Sequence, residues 1–105
     1  MRVRACGRDL LDRNGGLKVV RHPTREGWSA LVLLEGDAVV AIGNACPHHG
    51  SELTAGYRRP GSIECPLHSW RFDVFTGACA HPSDALIATF EVTIEEGIVY
   101  VELPG

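Results

Sequence analysis

Two short stretches decide the fold of this 105-residue chain: Cys46-Pro47-His48-His49-Gly50-Ser51 and Cys65-Pro66-Leu67-His68. Each places a cysteine and a histidine within a few residues of one another, and sixteen residues separate His48 from Cys65. A cysteine thiolate and a neutral imidazole are both good ligands for a transition metal. Two such loops that face one another supply four ligands. The sequence therefore predicts one metal site, made of Cys46, His48, Cys65 and His68.

The region that contains these stretches, about residues 44–82, differs from the rest of the chain. It is rich in proline, glycine, cysteine and histidine and holds only short strand-like pieces. A segment with so few core residues needs another source of order, and metal coordination supplies it because binding free energy acts as folding free energy. We therefore expect residues 44–82 to form a small metal-binding subdomain.

The remaining sequence predicts an all-β fold. Alternating and β-branched residues form strand-sized runs separated by turn residues. Glu35-Gly36-Asp37 and Glu95-Glu96-Gly97 lie between such runs and predict hairpin loops, hence antiparallel neighbours. One helical turn is expected at Asp9 to Asp12. The predicted strands are Val3 to Cys6, Leu17 to His22, Trp28 to Leu34, Ala38 to Gly43, Ser62 to Cys65, Arg71 to Phe75, Thr89 to Ile94 and Ile98 to Leu103.

Length and composition limit the class of protein. A chain of 105 residues has apolar surface for one core, so we expect a single domain over residues 1–105. A net charge of −3 argues against a nucleic-acid partner and mildly favours partners with basic patches. No apolar run approaches the roughly 20 residues of a membrane helix, and no apolar signal segment follows Met1. We therefore expect a cytoplasmic protein without a membrane, whose four cysteines serve metal chemistry more readily than disulfides.

The ligand set alone leaves two kinds of metal site open. Two cysteines and two histidines bind a single tetrahedral zinc in many structural sites. The same set binds a two-iron, two-sulfide cluster when both cysteines hold one iron and both histidines hold the other.

The finer pattern resembles the C-x-H and C-x-x-H signature of the Rieske family. The resemblance extends to Thr76-Gly77 and Pro82, which match the turn and the proline loop that cover the cluster in that family. It implies a fold of antiparallel sheets in which a small cluster-binding subdomain is set into a β base. It also implies one [2Fe-2S] cluster, with Cys46 and Cys65 on the inner iron and His48 and His68 on the outer iron.

Four positions depart from the high-potential members of that family. Those proteins carry two further cysteines in a disulfide, where this chain has Ser51 and Leu67. They also carry a serine and a tyrosine whose hydroxyls donate to cluster and cysteine sulfur, where this chain has Trp70 and Phe72. Fewer donors disfavour the more negative, reduced cluster. We therefore expect a low potential, roughly −150 to 0 mV.

The departures resemble the Rieske ferredoxins of bacterial aromatic-ring dioxygenases. This resemblance implies a soluble one-electron carrier that takes electrons from an NAD(P)H-dependent flavoprotein reductase and passes them to a terminal oxygenase. Such a carrier is not itself an enzyme and binds no small-molecule substrate. The alternatives are the small Rieske-like subunit of an assimilatory nitrite reductase and a structural zinc protein. A terminal oxygenase is rejected for this chain alone. Such an enzyme also needs a mononuclear iron held by two histidines and a carboxylate, and the remaining histidines, His22, His49 and His81, have no large catalytic domain to arrange them.

Several other residues receive structural interpretations. Pro47 and Pro66 are expected to stiffen the ligand loops through their fixed φ, and Gly50 and Gly77 to serve backbone conformation. The histidines and cysteines outside the predicted site are interpreted as solvated loop residues and as free thiols: His49, His81, Cys6 and Cys79.

Two tryptophans and four acidic residues complete the set. Trp28 is expected in the β core, and Trp70 beside the cluster. The acidic side chains are interpreted as a solvated face, with a secondary role in steering partners: Glu52, Glu64, Asp73 and Asp84.

Overall fold

The computed structural model describes residues 1–13, 15–46, 52–66, 70–81 and 85–105. The predictions for Pro47, His48, His49, Gly50, Ser51, Leu67, His68, Pro82 and Asp84, and for the side chain of His81, lie outside the described part. The elements are β1 (Arg2–Gly7), α1 (Arg8–Arg13), β2 (Leu17–Arg21), β3 (Ser29–Glu35), β4 (Ala38–Gly43), a 3-10 turn (Leu53–Ala55), β5 (Tyr57–Arg59), β6 (Ser62–Glu64), β7 (Arg71–Asp73), β8 (Cys79–His81), β9 (Thr89–Phe90), β10 (Val92–Glu95) and β11 (Ile98–Glu102).

The strands form three antiparallel sheets. The first has the order β1-β11-β10, the second β2-β3-β4-β9 and the third β5-β6-β7-β8. Their pairings are antiparallel throughout the described residues, so the predicted all-β architecture is confirmed. No helix in the described part of the chain is long and apolar enough to cross a membrane.

The third sheet is an insertion between two paired strands of the second. β4 ends at Gly43 and β9 begins at Thr89, yet these strands are neighbours, and Gly43 N donates to Ala88 O at 2.9 Å. Everything between them, including both cysteine-containing stretches, leaves and rejoins the second sheet at this point. A small subdomain is thus set into a larger β base, as predicted.

Two hairpins in the base have the expected tight turns. Glu35 pairs with Ala38 and Glu95 pairs with Ile98, so each loop contains only two residues. In the second loop Glu96 and Gly97 have φ of 51° and 77°. Positive φ at both positions gives the backbone twist that matches paired strands.

Two predicted strands depart most from the observed ones. The run from Thr89 to Ile94 was expected to be one strand, but it is interrupted at Glu91, where the chain passes from the second sheet to the first. The strand from Arg71 ends at Asp73 and not at Phe75. The Asp73 carboxylate accepts hydrogen bonds from the backbone N–H groups of Phe75 (2.7 Å) and Thr76 (3.0 Å), two and three residues further along the chain. This turn ends the strand.

β3 separates two apolar cores. Its successive side chains point to opposite faces, and both faces are buried. Leu31 and Leu33 join a core shared with the third sheet, while Ala30 and Val32 join a core shared with the first sheet. Trp28 packs against this second core, as predicted.

Candidate metal centre

Cys46 and Cys65 have no exposed surface and belong to one contiguous apolar cluster. Cys46 lies just beyond β4, and Cys65 directly follows β6. All four cysteines lie in the described part of the chain, and none forms a disulfide. Two of the four predicted ligands are therefore buried in the same core, while His48 and His68 lie outside the described residues.

The first ligand loop, residues 46–51, is closed at its neck by backbone pairing. Ala45 and Glu52 form an antiparallel bridge, and Leu53 N donates to Asn44 O at 3.1 Å. The Asn44 side chain, 3% exposed, accepts from Thr54 N at 3.0 Å and from Thr54 Oγ1 at 2.7 Å. Sequence reasoning did not identify Asn44, although a polar residue two positions before a predicted ligand was a signal for it.

The second ligand loop, residues 65–70, is closed directly at the predicted ligand. Cys65 N donates to Trp70 O at 2.7 Å, which continues the pairing of β6 with β7. Gly56 makes room for this strand, since a Cβ there would lie 2.1 Å from the Glu64 carbonyl oxygen. Gly56 is a second residue that sequence reasoning did not identify.

A third loop, residues 79–85, begins and ends at the same apolar cluster. Cys79 N donates to Ala85 O at 3.0 Å, and Ala78 forms a bridge with Leu86. Gly77 precedes this loop with a φ of 80°, and a Cβ there would lie 2.1 Å from the Ile87 carbonyl oxygen. The prediction that Gly77 serves backbone conformation is confirmed.

Two aromatic side chains contribute to the apolar core around Cys46 and Cys65. Phe72 is fully buried in the cluster that contains both cysteines, and Trp70 packs against that cluster. Phe72 also pairs with Ile63 across β6 and β7. These side chains exclude water from the cysteines, and neither Phe72 nor Ile63 offers a hydrogen-bond donor.

One acidic residue, Glu64, was wrongly assigned to a solvated face. Glu64 is only 13% exposed and accepts from Arg59 Nε at 3.0 Å. Asp73 is partly exposed, and its carboxylate accepts hydrogen bonds from the turn that follows β7. Glu52, by contrast, is exposed, as predicted.

Cys6 and His22 occupy the base and take no part in the site. Cys6 lies in β1 within the second core, where burial raises the pKa of its thiol. His22 is 6% exposed, with Nε2 2.5 Å from Pro104 O. Its Nδ1 accepts from Thr24 N at 3.1 Å and Arg25 N at 3.0 Å. Both ring nitrogens of His22 are thus already used.

The cysteine pair suits a metal-sulfur group. Burying an ionised thiolate in apolar surroundings is costly unless a cation compensates it. Cys46 and Cys65 share such surroundings without being joined to each other. Iron-sulfur clusters are held by cysteine thiolates in this kind of environment, with histidines replacing two of them in Rieske centres.

The chain belongs to the Rieske family, because the family model for the Rieske [2Fe-2S] domain matches residues 4–91. Its cofactor is accordingly a Rieske-type [2Fe-2S] cluster, and the zinc alternative is set aside. Such a cluster fits the buried cysteine pair.

Within the family, the chain is similar to ferredoxin components of dioxygenase systems. It is 41% identical over 75 residues to the naphthalene 1,2-dioxygenase ferredoxin component of Pseudomonas putida. The aligned region covers 70% of this chain and 71% of that protein. It is 37% identical over 102 residues to the 2,4-dinitrotoluene dioxygenase ferredoxin component of Burkholderia sp. (strain RASC), covering 96% and 94%.

Solved structures give the same result. The Sphingomonas yanoikuyae B1 ferredoxin superposes with a TM-score of 0.82 at 30% identity, covering 99% of this chain and all of that one. A chain in the complex of reduced oxygenase and oxidized ferredoxin of carbazole 1,9a-dioxygenase superposes with a TM-score of 0.85 at 30% identity, covering 95% and 91%. A nitrite reductase small subunit from Mycobacterium tuberculosis shares the fold alone, at 22% identity, with a TM-score of 0.79 and coverage of 96% and 93%.

Proposed function

We propose that this chain is a Rieske-type ferredoxin that carries single electrons from an NAD(P)H-dependent flavoprotein reductase to a terminal oxygenase. The observation that carries the proposal is the burial of Cys46 and Cys65 in one apolar cluster, each at the neck of a loop. Its similarity to dioxygenase ferredoxin components supports a carrier, and not a catalyst, as the role.

The proposed ligands are the four residues of the two loops. Cys46 and Cys65 would bind one iron from within the core, and His48 and His68 would bind the other. When bound, a Rieske cluster supplies a one-electron couple. Cys46 and Cys65 are buried, which keeps water from their sulfur atoms, and backbone hydrogen bonds close the neck of each loop.

The aromatic residues favour a low reduction potential. Phe72 and Trp70 stand at positions where hydroxyls stabilise the reduced state in high-potential members. The buried Phe72 ring presents no hydroxyl to the sulfur atoms. A potential of roughly −150 to 0 mV remains our expectation.

The surface beside the first loop offers a place for the oxygenase to dock. An open cavity of about 260 Å³ lies between Ala45 and Glu52 at the neck of that loop and Leu86 after the third loop. Leu86, on the rim of this cavity, is 66% exposed and presents an apolar side chain to a partner. We assign this surface to a partner that presents apolar and basic side chains, because Glu52 is acidic.

The chain is proposed to act as one domain in the cytoplasm. The two cores share strands β3 and β4, since Ile42 of β4 lies in one core and Ala41 in the other, and this argues for one folding unit. Four cysteines without a disulfide suit a reducing compartment.

The test is electron transfer with purified components. Protein reconstituted under anaerobic conditions is reduced with dithionite and examined by low-temperature EPR. It is then mixed with NADH, a dioxygenase-system reductase and its oxygenase, and substrate-dependent turnover is measured. A Rieske signal without turnover in any such system, together with copurification of a siroheme-containing subunit, would replace the ferredoxin proposal by the nitrite reductase alternative.

Cysteine variants separate the ligands from the other thiols. Cys46→Ser and Cys65→Ser are expected to abolish the Rieske signal. Cys6→Ser and Cys79→Ser are matched controls that change one sulfur each and are expected to retain it. Loss of the signal in a control, or its survival in either ligand variant, contradicts the proposed ligand set.

A further inference from the structure

Asn44, two residues before Cys46, forms hydrogen bonds through both its backbone and its side chain. In the described part of the chain only Asn44 and His22 are buried polar side chains. Asn44 N donates to Ser29 O at 3.2 Å, and Nδ2 donates to Ser29 Oγ at 3.1 Å. Both groups therefore reach the first residue of β3, fifteen positions away in the sequence.

The acceptors of the same residue reach the other end of the loop. Asn44 Oδ1 accepts from Thr54 N and Oγ1, and Asn44 O accepts from Leu53 N. Both partners belong to the 3-10 turn that follows the first ligand loop. One residue thus joins the start of the loop, the end of the loop and the base sheet.

We propose that Asn44 is a positioning residue for the cluster, which ties both ends of the first ligand loop to β3 and so sets where the loop presents Cys46. This inference rests on the proposed ligation by Cys46. Its physical reason is that a buried amide with three hydrogen bonds to two residues has one orientation, whereas an apolar residue of similar size leaves those partners unsatisfied. The loop then moves relative to the second loop.

The first test compares the two buried polar residues. Asn44→Leu is expected to release the cluster about 10- to 100-fold faster than the unmodified protein, as for other residues that orient metal ligands. Release is followed by loss of visible absorption at a temperature where far-UV circular dichroism shows the fold intact. His22→Leu removes a comparable hydrogen-bonded side chain from the base and is expected to release the cluster at the unmodified rate.

A second pair of variants guards against a failure of Asn44→Leu to fold. Thr54→Val removes the hydroxyl that donates to Asn44 Oδ1 and keeps the shape of the side chain. Thr54→Ser keeps that hydroxyl. Cluster release is expected to be faster in Thr54→Val than in Thr54→Ser.

The EPR spectrum of the reduced protein separates positioning from general support. A loop that presents its ligands differently changes the g values, whereas a purely structural loss leaves them unchanged. Release rates and g values like those of the unmodified protein in both Asn44→Leu and Thr54→Val would overturn the inference. A protein that shows no Rieske signal before any substitution instead contradicts the proposed function.

Discussion

The guanidinium of Arg58 lies 2.5 Å from the carboxylate of Glu35 and joins β5 of the inserted sheet to the end of β3 in the base. Both side chains are largely buried, with 28% and 17% of their surface exposed. Arg58 Nε is buried and has no hydrogen-bond partner among the described residues. The pair therefore depends on the one carboxylate, and its loss leaves a partly buried cation uncompensated.

Removing this carboxylate is expected to destabilise the fold. Glu35→Gln should lower the free energy of unfolding by about 2 kcal/mol, between the values for exposed and fully buried pairs. Urea denaturation measures the change. Arg59→Gln removes the more exposed arginine, 56% exposed, of the neighbouring Arg59–Glu64 pair, and a change of less than about 1 kcal/mol is expected there. Equal losses in the two variants would contradict the special role of Glu35.

Two glycines of similar conformation are expected to differ in their tolerance of alanine. Gly36 and Gly77 both have positive φ, but a Cβ at Gly36 meets nothing within 4 Å, whereas one at Gly77 approaches Ile87 O to 2.1 Å. Gly36→Ala should cost about 1 kcal/mol of unfolding free energy from backbone strain alone. Gly77→Ala should cost about 3 kcal/mol or more, because a steric clash is added. Thermal unfolding of both variants checks the order, which fails if Gly36→Ala is the more damaging.

A hydroxyl added beside the cysteines is expected to raise the reduction potential. Phe72→Tyr places a hydrogen-bond donor in the apolar core that contains Cys46 and Cys65. A hydrogen bond to a charged group is worth about 1.5 kcal/mol or more, which corresponds to about 60 mV for a one-electron couple. Protein-film voltammetry measures the reduction potential of each variant. Phe75→Tyr, on an exposed turn residue, adds the same hydroxyl away from the core and should leave the potential unchanged.

The alkaline stability of the protein is expected to depend on Cys6. Burial raises the pKa of its thiol, against the opposing influence of Lys18, Arg4 and Arg8. The folded state therefore keeps the proton where the unfolded state loses it. The stabilising contribution is complete below the unfolded pKa and is lost as the pH rises through the folded pKa. Cys6→Ala should lose less stability above about pH 9 than the unmodified protein, as measured by urea midpoints between pH 7 and 10. Parallel decline of the two proteins contradicts this.

The sequence predicted the fold best where local pattern and tertiary structure agree. β4 has the predicted bounds, because an apolar run is enclosed by a hairpin turn and by Gly43. The single strand predicted from Thr89 to Ile94 was wrong, because the chain breaks at Glu91 and passes to another sheet. No local sequence pattern indicates such a change of sheet. β5 and β8, three residues each, are too short to show alternation.

The sequence predicted the metal ligands of the candidate site, but not the residues that hold the ligand loops in place. Cysteine spacing identified Cys46 and Cys65, which the structure buries in one core. Asn44 was missed because its partners, Ser29 and Thr54, lie fifteen and ten residues away, and only the folded chain brings the three together. Short-range motifs thus located the ligands, while long-range hydrogen bonds determine how they are held.

Residues 44–88 leave β4 and return to β9 at neighbouring positions, where Gly43 N donates to Ala88 O, and this makes the segment a natural unit of exchange. Because its two ends are adjacent, a tight turn in its place would join β4 to β9 as an ordinary hairpin. Conversely, the segment is suited to transplantation into another antiparallel hairpin whose neighbouring strands offer an apolar face. An engineer seeking to give a redox function to an inert β scaffold would begin by grafting here.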